Sequence, residues 1–412
     1  MTTAYFTPAI PSRARPYDKT QTPTPLWLRT ILGRDMSPTL EEYENVTQAL
    51  NTGDPGMDSM INWMYEFGPQ EARKLYQQAL DHGIETIPNA PEPLRQFFES
   101  VDQDPAWLDR DLVEEGAHFI HSCGVECMYI MRDLALMGGY LFSGFNQSLV
   151  MTGALNKGAS RRVAETAKWW LNCTEFKGLE RFGPGYKSTL QVRLVHGLVR
   201  RSLQGRKEWD LDQWGVPLSQ VDMVATYLSF SVIMLNGLRK LGIPVTPRES
   251  RAVTHLWGYA CWLMGVEERW ICLKEKEAIV LLNHTVMTQS RPDWTSKELG
   301  KALSLEPLER SYNSLSKLRR NFAYQQHLSI SQYFLGTKNM EKLGLSSDVY
   351  PWFPAITFAP RFANYSTQRF IPGLRIRQEK RGRKAQENAL KEMFGDSEQT
   401  IINPAKDHPA HL

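Results

Sequence analysis

The 412-residue chain has few cysteines and no excess of charge of either sign. Its five cysteines, an odd and sparse number, exclude a disulfide framework as the basis of the fold. Lys and Arg total 48 against 45 Asp and Glu, and this balance excludes nucleic acid as the main partner, because phosphate binding needs a clustered basic surface. The basic stretch from Arg369 to Lys384 is the local exception, and it predicts a solvated arm, with contact to an acidic surface or partner subunit as the alternative.

The first twenty residues contain no apolar core of signal-peptide length. We therefore expect a cytoplasmic location for the chain as given, or secretion if a leader has been removed. Two uncharged apolar stretches, Met223–Leu238 and Ala252–Val266, are shorter than the roughly 20 residues that a membrane span needs. Leu134–Asn156 is long enough, but its glycines and polar side chains favour a buried segment, so membrane contact is the less favoured alternative.

Apolar residues recur every three or four positions through most of the chain, which is the pattern of packed helices. This pattern predicts long helices at Leu112–Leu136, Arg161–Asn172, Thr189–Leu203, Leu218–Lys240, Pro247–Met264 and Lys274–Thr288. The alternation typical of strands is missing. We expect an all-α fold, with a single compact multi-helix domain at 58–360, an extended N-terminal arm at 1–57 and a basic, partly disordered C-terminal arm at 361–412.

His196 has the most informative neighbours among the nine histidines. Arg193, His196 and Arg200 recur at i, i+3 and i+7, so they share one side of a helix. The core stripe of this helix is expected at Val192, Val195 and Val199. Two arginines beside a buried histidine are costly unless an anion is present, and haem carboxylates or a phosphate would supply one. Gly197 leaves room for a flat cofactor. A core histidine without a function is the alternative.

A second polar pair, Arg162 and Thr166, lies at i, i+4 on one helix face and indicates an anion or polar ligand. An exposed arginine and a threonine bonded to its own helix are the alternative. His118 and His121 are three residues apart and could share a metal ion, but no further ligands are identified. We favour ordinary core or surface histidines there.

Taken together, these segments resemble the latex clearing protein family, the haem b rubber oxygenases, and the wider superfamily that holds the fungal prenyl-cleaving endoplasmic-reticulum oxygenases. The matching pieces are Arg162-x-x-x-Thr166, His196-x-x-x-Arg200 beginning thirty residues after Thr166, the segment 209–222, and the apolar helices near 223–238 and 256–266. The resemblance covers about residues 100–290. Each piece alone is weak, and their order and spacing give the set its specificity.

The resemblance implies that His196 is the proximal ligand of a b-type haem. It makes Arg162, Thr166 and Arg200 pocket residues, with Arg162 and Thr166 also among the catalytic ones, and the anion argument adds Arg193. The implied reaction uses O2 to cleave C=C bonds of cis-1,4-polyisoprene (rubber) or a related apolar prenyl chain, leaving aldehyde and ketone ends. The oligomeric state is not implied.

One departure from the family concerns the catalytic base. The rubber-cleaving members have a glutamate about sixteen residues before the arginine, where this chain has Asn146, and no Asp or Glu occurs at 134–164. Family members also have a lysine directly before the threonine, where this chain has Glu165, our candidate for the base. A weak ligand of the iron and a surface residue are the alternatives for Glu165. Two alternatives stay open: a haem protein of this fold without rubber cleavage, either a sensor or peroxidase-like, and a cofactor-free helical protein that binds lipids or a partner.

Overall fold

A computed structural model describes residues 9–153, 159–371 and 373–399. All regular secondary structure in these ranges is helical, which confirms the predicted all-α fold. The α-helices are, in chain order, α1 (Leu26–Leu32), α2 (Leu40–Gln48), α3 (Pro55–Phe67), α4 (Pro69–His82), α5 (Glu92–Asp102), α6 (Arg110–Cys123), α7 (Val125–Ile130), α8 (Met137–Gly139), α9 (Ser143–Met151), α10 (Ala159–Cys173), α11 (Pro184–Gln204), α12 (Leu211–Trp214), α13 (Gln220–Leu228), α14 (Met234–Lys240), α15 (Pro247–Leu263), α16 (Glu275–Met287), α17 (Trp294–Leu305), α18 (Ser316–Leu335), α19 (Thr337–Lys342), α20 (Trp352–Phe370) and α21 (Leu374–Phe394).

The single helix expected at Leu112–Leu136 is instead two helices, α6 and α7. Gly124 separates them with φ of 60° and ψ of −142°, a backbone conformation that glycine adopts without the steric cost of a Cβ. Gly382 of α21 lies directly against this break, where an added Cβ would be 3.1 Å from the Gly124 Cα. The glycine therefore ends α6 and lets another helix cross closely.

Two of the long helices contain a π-turn. Met131–Leu136 joins α7 to α8, and Ser229–Ile233 joins α13 to α14, and the two π-turns pack against each other. The second of these helices, Gln220–Lys240, is the one helix in the described ranges that is long and apolar enough to cross a membrane, with a mean hydropathy of 1.4. Most of it is buried inside the protein.

The largest core cluster lies among α3 to α6, α10, α11, α15 and α21. Trp257 is fully buried within it, with its ring centroid 5.7 Å from that of Trp169 and 5.0 Å from that of Phe230. α6 and α15 pack closely, because a Cβ on Gly116 would be only 2.6 Å from the Ala252 carbonyl oxygen. These contacts fix the helices that carry the candidate site.

Both ends of the described chain pack onto this body. In the N-terminal region, Arg13 is buried and binds Asp222 at 2.9 Å. In the C-terminal region, α21 is a regular helix that buries Gln386, Leu390 and Phe394 against α6 and its neighbours. The expectation of a partly disordered arm is therefore wrong for Leu374–Phe394. Residues 400–412 lie outside the described ranges, and the division into arm, body and arm stays a prediction.

Candidate functional site

The candidate site is built on the antiparallel helices α10 and α11. α11 begins at Pro184, whose fixed φ and missing N–H suit a first helical position. Trp169 Nε1 donates a hydrogen bond to Thr189 Oγ1 at 3.0 Å, which fixes the register of the two helices. His196 lies seven residues, about two helical turns, after Thr189, and Arg162 lies seven residues before Trp169. Because the helices are antiparallel, this register places Arg162 opposite His196.

His196 is held as a neutral imidazole. Burial lowers its pKa to about 4, the positive charges of Arg200 and Arg162 act in the same direction, and Asp54 opposes them. Its Nδ1 atom is buried and has no hydrogen-bond partner among the described residues. At neutral pH the ring therefore has a lone pair, which is the form of histidine that binds a metal.

The face of α11 that carries His196 is less buried than expected. Val192, Val195 and Val199, predicted to lie in the core, are only half-buried, and that prediction is wrong. The core is lined instead by Leu190, Leu194 and Leu198. Because α11 has an apolar stripe on each side, His196 lies with the three valines on a half-exposed apolar face.

Arg193 and Arg200 are both buried, as expected, but their anions come from the protein itself. Arg193 binds the Asp54 carboxylate through Nε at 2.6 Å and Nη2 at 2.9 Å, and its Nη1 donates to the Leu263 carbonyl. Arg200 binds Asp58 through Nε at 2.7 Å. The argument that these arginines require an external anion is thus corrected: each nitrogen of Arg193 has a partner, and only Nη2 of Arg200 is buried without one.

Gly197 has a different role from the one the sequence suggested. A Cβ at this position would be 2.7 Å from the Met57 Cγ and 3.2 Å from the Ile61 Cγ1, both side chains of α3. The glycine therefore lets α3 approach α11 from the protein side, and it does not open space for a cofactor.

α10 presents Arg162 and Thr166 together on its exposed side, as the i, i+4 spacing predicts. The register of the helix pair sets Thr166 opposite Val192. Glu165 lies on the adjoining side, where its carboxylate accepts a hydrogen bond from Arg161 Nε at 2.9 Å. The charges that act on the His196 pKa do not include Glu165. The structure thus brings His196, Arg162 and Arg200 together and places Glu165 in an ion pair beside them.

The resemblance predicts a catalytic glutamate at the position of Asn146. Asn146 is fully buried, and its Nδ2 donates to the Tyr140 carbonyl at 2.9 Å and to Thr295 Oγ1 at 3.2 Å. These bonds tie α9 to α17, which gives the residue a structural role. The chain between Gly153 and Ala159, which links α9 to α10, is outside the described ranges.

The sequence did not reveal a second buried charge cluster. It consists of Arg132, Asp133, Glu306, Arg310 and His327, all at most 7% exposed. Glu306 binds Arg132 at 2.9 Å and Arg310 at 2.8 Å, while His327 Nδ1 lies 2.6 Å from Asp133. The available signal was the Arg132–Asp133 pair inside an otherwise apolar helical segment. Two carboxylates were also missed: Asp54, in the region expected to be an extended arm, and Asp58, the first residue of the expected helical domain.

The proposed His118 and His121 metal pair gains no support. His118 Nδ1 lies 2.6 Å from Glu379, and His121 Nε2 lies 2.5 Å from the Thr174 carbonyl oxygen. No group of three or more potential metal ligands occurs in 9–153, 159–371 and 373–399. The five cysteines are all free.

Comparison with known proteins gives three consistent matches. Residues 128–363 match the family described as ER-bound oxygenase mpaB/B'/Rubber oxygenase, catalytic domain. The Rubber oxygenase of Streptomyces sp. (strain K30) is 24% identical over 198 residues, which are 47% of this chain and 46% of that protein. The alignment thus spans about half the length of this curated relative. A solved structure, that of the latex clearing protein LCP in the closed state, matches with a TM-score of 0.60 and 18% identity over 82% of this chain and 91% of that one.

Proposed function

Because this chain belongs to the family of ER-bound oxygenase and rubber oxygenase catalytic domains, we propose that it is a haem-dependent oxygenase that cleaves C=C bonds of an apolar polyisoprenoid. The observation that carries this proposal is His196. Its ring is neutral, its Nδ1 is free of partners, and it lies on an apolar face opposite Arg162.

These residues fit a b-type haem. The imidazole of His196 would hold the haem iron, and Val192, Val195 and Val199 would offer apolar contacts beside it. Arg162, which is exposed, would supply positive charge for the carboxylates of such a group, whereas Arg200 is buried and paired with Asp58. Bound haem would supply the iron chemistry that activates O2, while the protein determines access and polarity.

The distal polar groups of the proposal lie on α10. Thr166 can donate a hydrogen bond from its exposed hydroxyl, and Arg162 contributes a positive charge near His196. Glu165 is our candidate base for removing a proton from the substrate, and it must exchange its ion pair with Arg161 to act. Polyisoprene or a related prenyl chain is the proposed substrate, with O2 as the second substrate. A cytoplasmic location remains our expectation.

A second candidate function is a haem protein of this fold that does not cleave rubber. Asn146 favours it, because the residue at the family's glutamate position is an amide whose nitrogen is bonded inside the protein. An amide also cannot accept a proton as a general base.

The first experiment is an absorption spectrum of the purified protein after addition of hemin, with and without dithionite. We expect a Soret band of about one haem per chain, lost in His196→Ala. The matched control is His327→Asn, which changes a histidine of the other buried charge cluster and should keep the band. Full retention of the band in His196→Ala would overturn the ligand assignment.

Product analysis then separates the two candidate functions. The haem-loaded protein is incubated with cis-1,4-polyisoprene and O2, and the products are examined for chains with one aldehyde and one ketone end. Such products support the oxygenase. A protein that binds haem and yields no cleavage of polyisoprene or shorter prenyl chains supports the second candidate.

A further inference from the structure

We infer that helix α3, which precedes the family-matched segment 128–363, forms part of the candidate site, and that Asp54 and Asp58 are positioning residues for His196. This inference rests on the proposed function, because it treats His196 as the residue to be positioned. It extends the site to the boundary between the expected N-terminal arm and the expected helical domain.

The first turn of α3 fixes both carboxylates. Asp54 is the N-cap residue and accepts a hydrogen bond from the Met57 N–H at 3.2 Å. Asp58 in turn accepts from the Asp54 N–H at 3.2 Å. The two side chains are therefore held one helical turn apart by the backbone that begins the helix.

The two arginines that these carboxylates bind flank His196 along α11. Arg193 lies three residues before the histidine and Arg200 four residues after it. Asp54 binds the first and Asp58 the second, so an ion pair lies on each side of the turn that carries the imidazole. Displacement of either carboxylate would free an arginine next to the ring.

Close packing leaves α3 little freedom to move relative to α11. A Cβ on Gly53 would be 2.7 Å from the Arg200 Cδ, and a Cβ on Gly197 would be 2.7 Å from the Met57 Cγ. Gly265 lies against the Asp54–Arg193 pair, with φ of 98°. A side chain at any of these positions would crowd the pairs, so backbone covers one side of them while the Asp58 carboxylate stays partly exposed.

A buried glutamine locks this arrangement to the rest of the core. Gln220 Nε2 donates to the carbonyl oxygens of Gly53 at 2.8 Å and Gly265 at 2.9 Å, and its Oε1 accepts from the Glu267 N–H at 3.0 Å. Gln220 is fully buried. α3, α13 and the turn after α15 therefore hold the start of α3 in one place.

Removing the carboxylate of Asp54 or Asp58 should weaken hemin binding more than a mutation elsewhere that lowers the stability of the protein by the same amount. Loss of one partner leaves the other charge buried and uncompensated. Groups that orient a metal-binding histidine typically change metal affinity by about 10- to 100-fold when they are mutated. Asp58 is the better test position, because its side chain is 37% exposed while Asp54 is nearly fully buried.

The test uses the full chain with the substitutions Asp58→Asn and Asp54→Asn. Hemin is titrated by absorbance, and hydrogen exchange of the α11 amides is followed without hemin. We expect Asp58→Asn to raise the hemin Kd by about ten-fold or more and to shift the Soret maximum. The α11 amides should exchange faster in the same variant. Asp58→Glu keeps the charge and should restore both properties.

The matched control is Glu306→Gln, which breaks buried ion pairs in the other charge cluster. It should speed exchange in α17 and α18 while leaving the hemin Kd and α11 unchanged. Wild-type hemin affinity and α11 exchange in both aspartate variants would overturn the inference, as would the same Kd change in the control. If the wild-type chain binds no hemin, the proposed function fails, and α11 exchange alone then decides whether Asp58 positions this helix.

Discussion

Two clusters of the same composition stand out among the described residues, one partly buried and one fully buried, and they differ in how the histidine is bonded. Each has two arginines, two carboxylates and one histidine: Arg193, Arg200, Asp54, Asp58 and His196 in one, and Arg132, Arg310, Asp133, Glu306 and His327 in the other. In the second cluster the histidine is bonded to Asp133. In the first, each carboxylate binds an arginine and a backbone N–H at the start of α3, and the Nδ1 atom of the imidazole has no partner among the described residues.

This difference separates a structural cluster from a candidate site. His327 lies on α18, where it is buried against the π-turn at Met131–Leu136. Its bond to Asp133 fixes its ring. His196 has no bond to a carboxylate among the described residues; by the inference above, the ion pairs on either side of it orient its turn, and it lies on a half-exposed face. Each ring keeps one buried nitrogen without a partner among the described residues, Nε2 in His327 and Nδ1 in His196, so the exposure of the surrounding face distinguishes the candidate site.

The largest expected effect comes from breaking the fully buried cluster. Glu306→Gln would leave Arg132 and Arg310 without their shared carboxylate, and we expect a loss of about 3–5 kcal/mol in the free energy of unfolding. Urea denaturation measures this loss. The control Glu267→Gln affects an exposed pair with Arg269 and should cost less than about 1 kcal/mol. A loss below about 1 kcal/mol for Glu306→Gln would contradict the comparison.

The second prediction concerns acid. Burial lowers the pKa of His327 to about 4, so the unfolded chain, with an ordinary histidine pKa near 6.5, binds more protons between these values. Stability should therefore fall as pH decreases below 6.5, by on the order of 2 kcal/mol at pH 5 for this histidine.

The measurement is the melting temperature of wild type and His327→Asn between pH 7 and pH 5. The asparagine can still donate to Asp133 but does not titrate, so the variant should lose less stability on acidification. His82→Asn, at an exposed position, serves as the control and should follow wild type. Equal slopes for wild type and His327→Asn would show that the acid sensitivity originates elsewhere.

A smaller effect is expected where α3 meets α11. Gly197→Ala would place a Cβ 2.7 Å from the Met57 Cγ, and such overpacking costs about 1–3 kcal/mol. Gly205→Ala, at the end of the same helix, has its nearest neighbour at 3.6 Å and should be neutral or slightly stabilising. Thermal unfolding of both variants checks this, and equal stabilities would contradict the close approach.

The smallest effect on stability is expected at Glu165. Its pair with Arg161 is a partly exposed i, i+4 pair, so Glu165→Gln should change stability by less than about 0.5 kcal/mol. If Glu165 is the base, the same variant binds hemin normally and turns over polyisoprene more slowly. Arg161→Gln removes the ion-pair partner of Glu165 but keeps the Glu165 carboxylate, so this variant should keep turnover. Unchanged turnover in Glu165→Gln would place the base elsewhere.

The helical fold could be predicted because apolar periodicity is a local property of the sequence. Helices α10, α13 to α16 and most of α11 lie where it placed them. The break at Gly124 was missed, since a single glycine within an apolar pattern does not reveal its φ angle. The prediction of which face of α11 is buried was wrong for another reason. Leucines and valines give the helix two apolar stripes, and periodicity does not say which stripe packs against other helices.

The residues on α10 and α11 could be found from spacing, but their partners could not. Arg162 and His196 are placed opposite each other by the helix register. Their joint role in a haem pocket, which the resemblance implies, stays a prediction. Asp54 and Asp58 are about 140 residues from the arginines they bind, and nothing local marks them. Long-range charge pairing depends on the packing of whole helices, which the local pattern does not contain.

The π-turn at Met131–Leu136 makes helix length as important as helix composition. A π-turn accommodates one residue more than the α-helical ladder requires. Because the extra residue is absorbed within that turn, deleting one residue there would restore regular α-helical bonding and leave the chain that follows facing the core as before. The same deletion in the regular helix α7 would rotate everything that follows by about 100°. Met137, which is 1% exposed, would then turn out of the core together with Tyr140, the carbonyl partner of Asn146. A one-residue gap in an alignment is therefore compatible with unchanged packing at the π-turn and marks a change of core packing in α7.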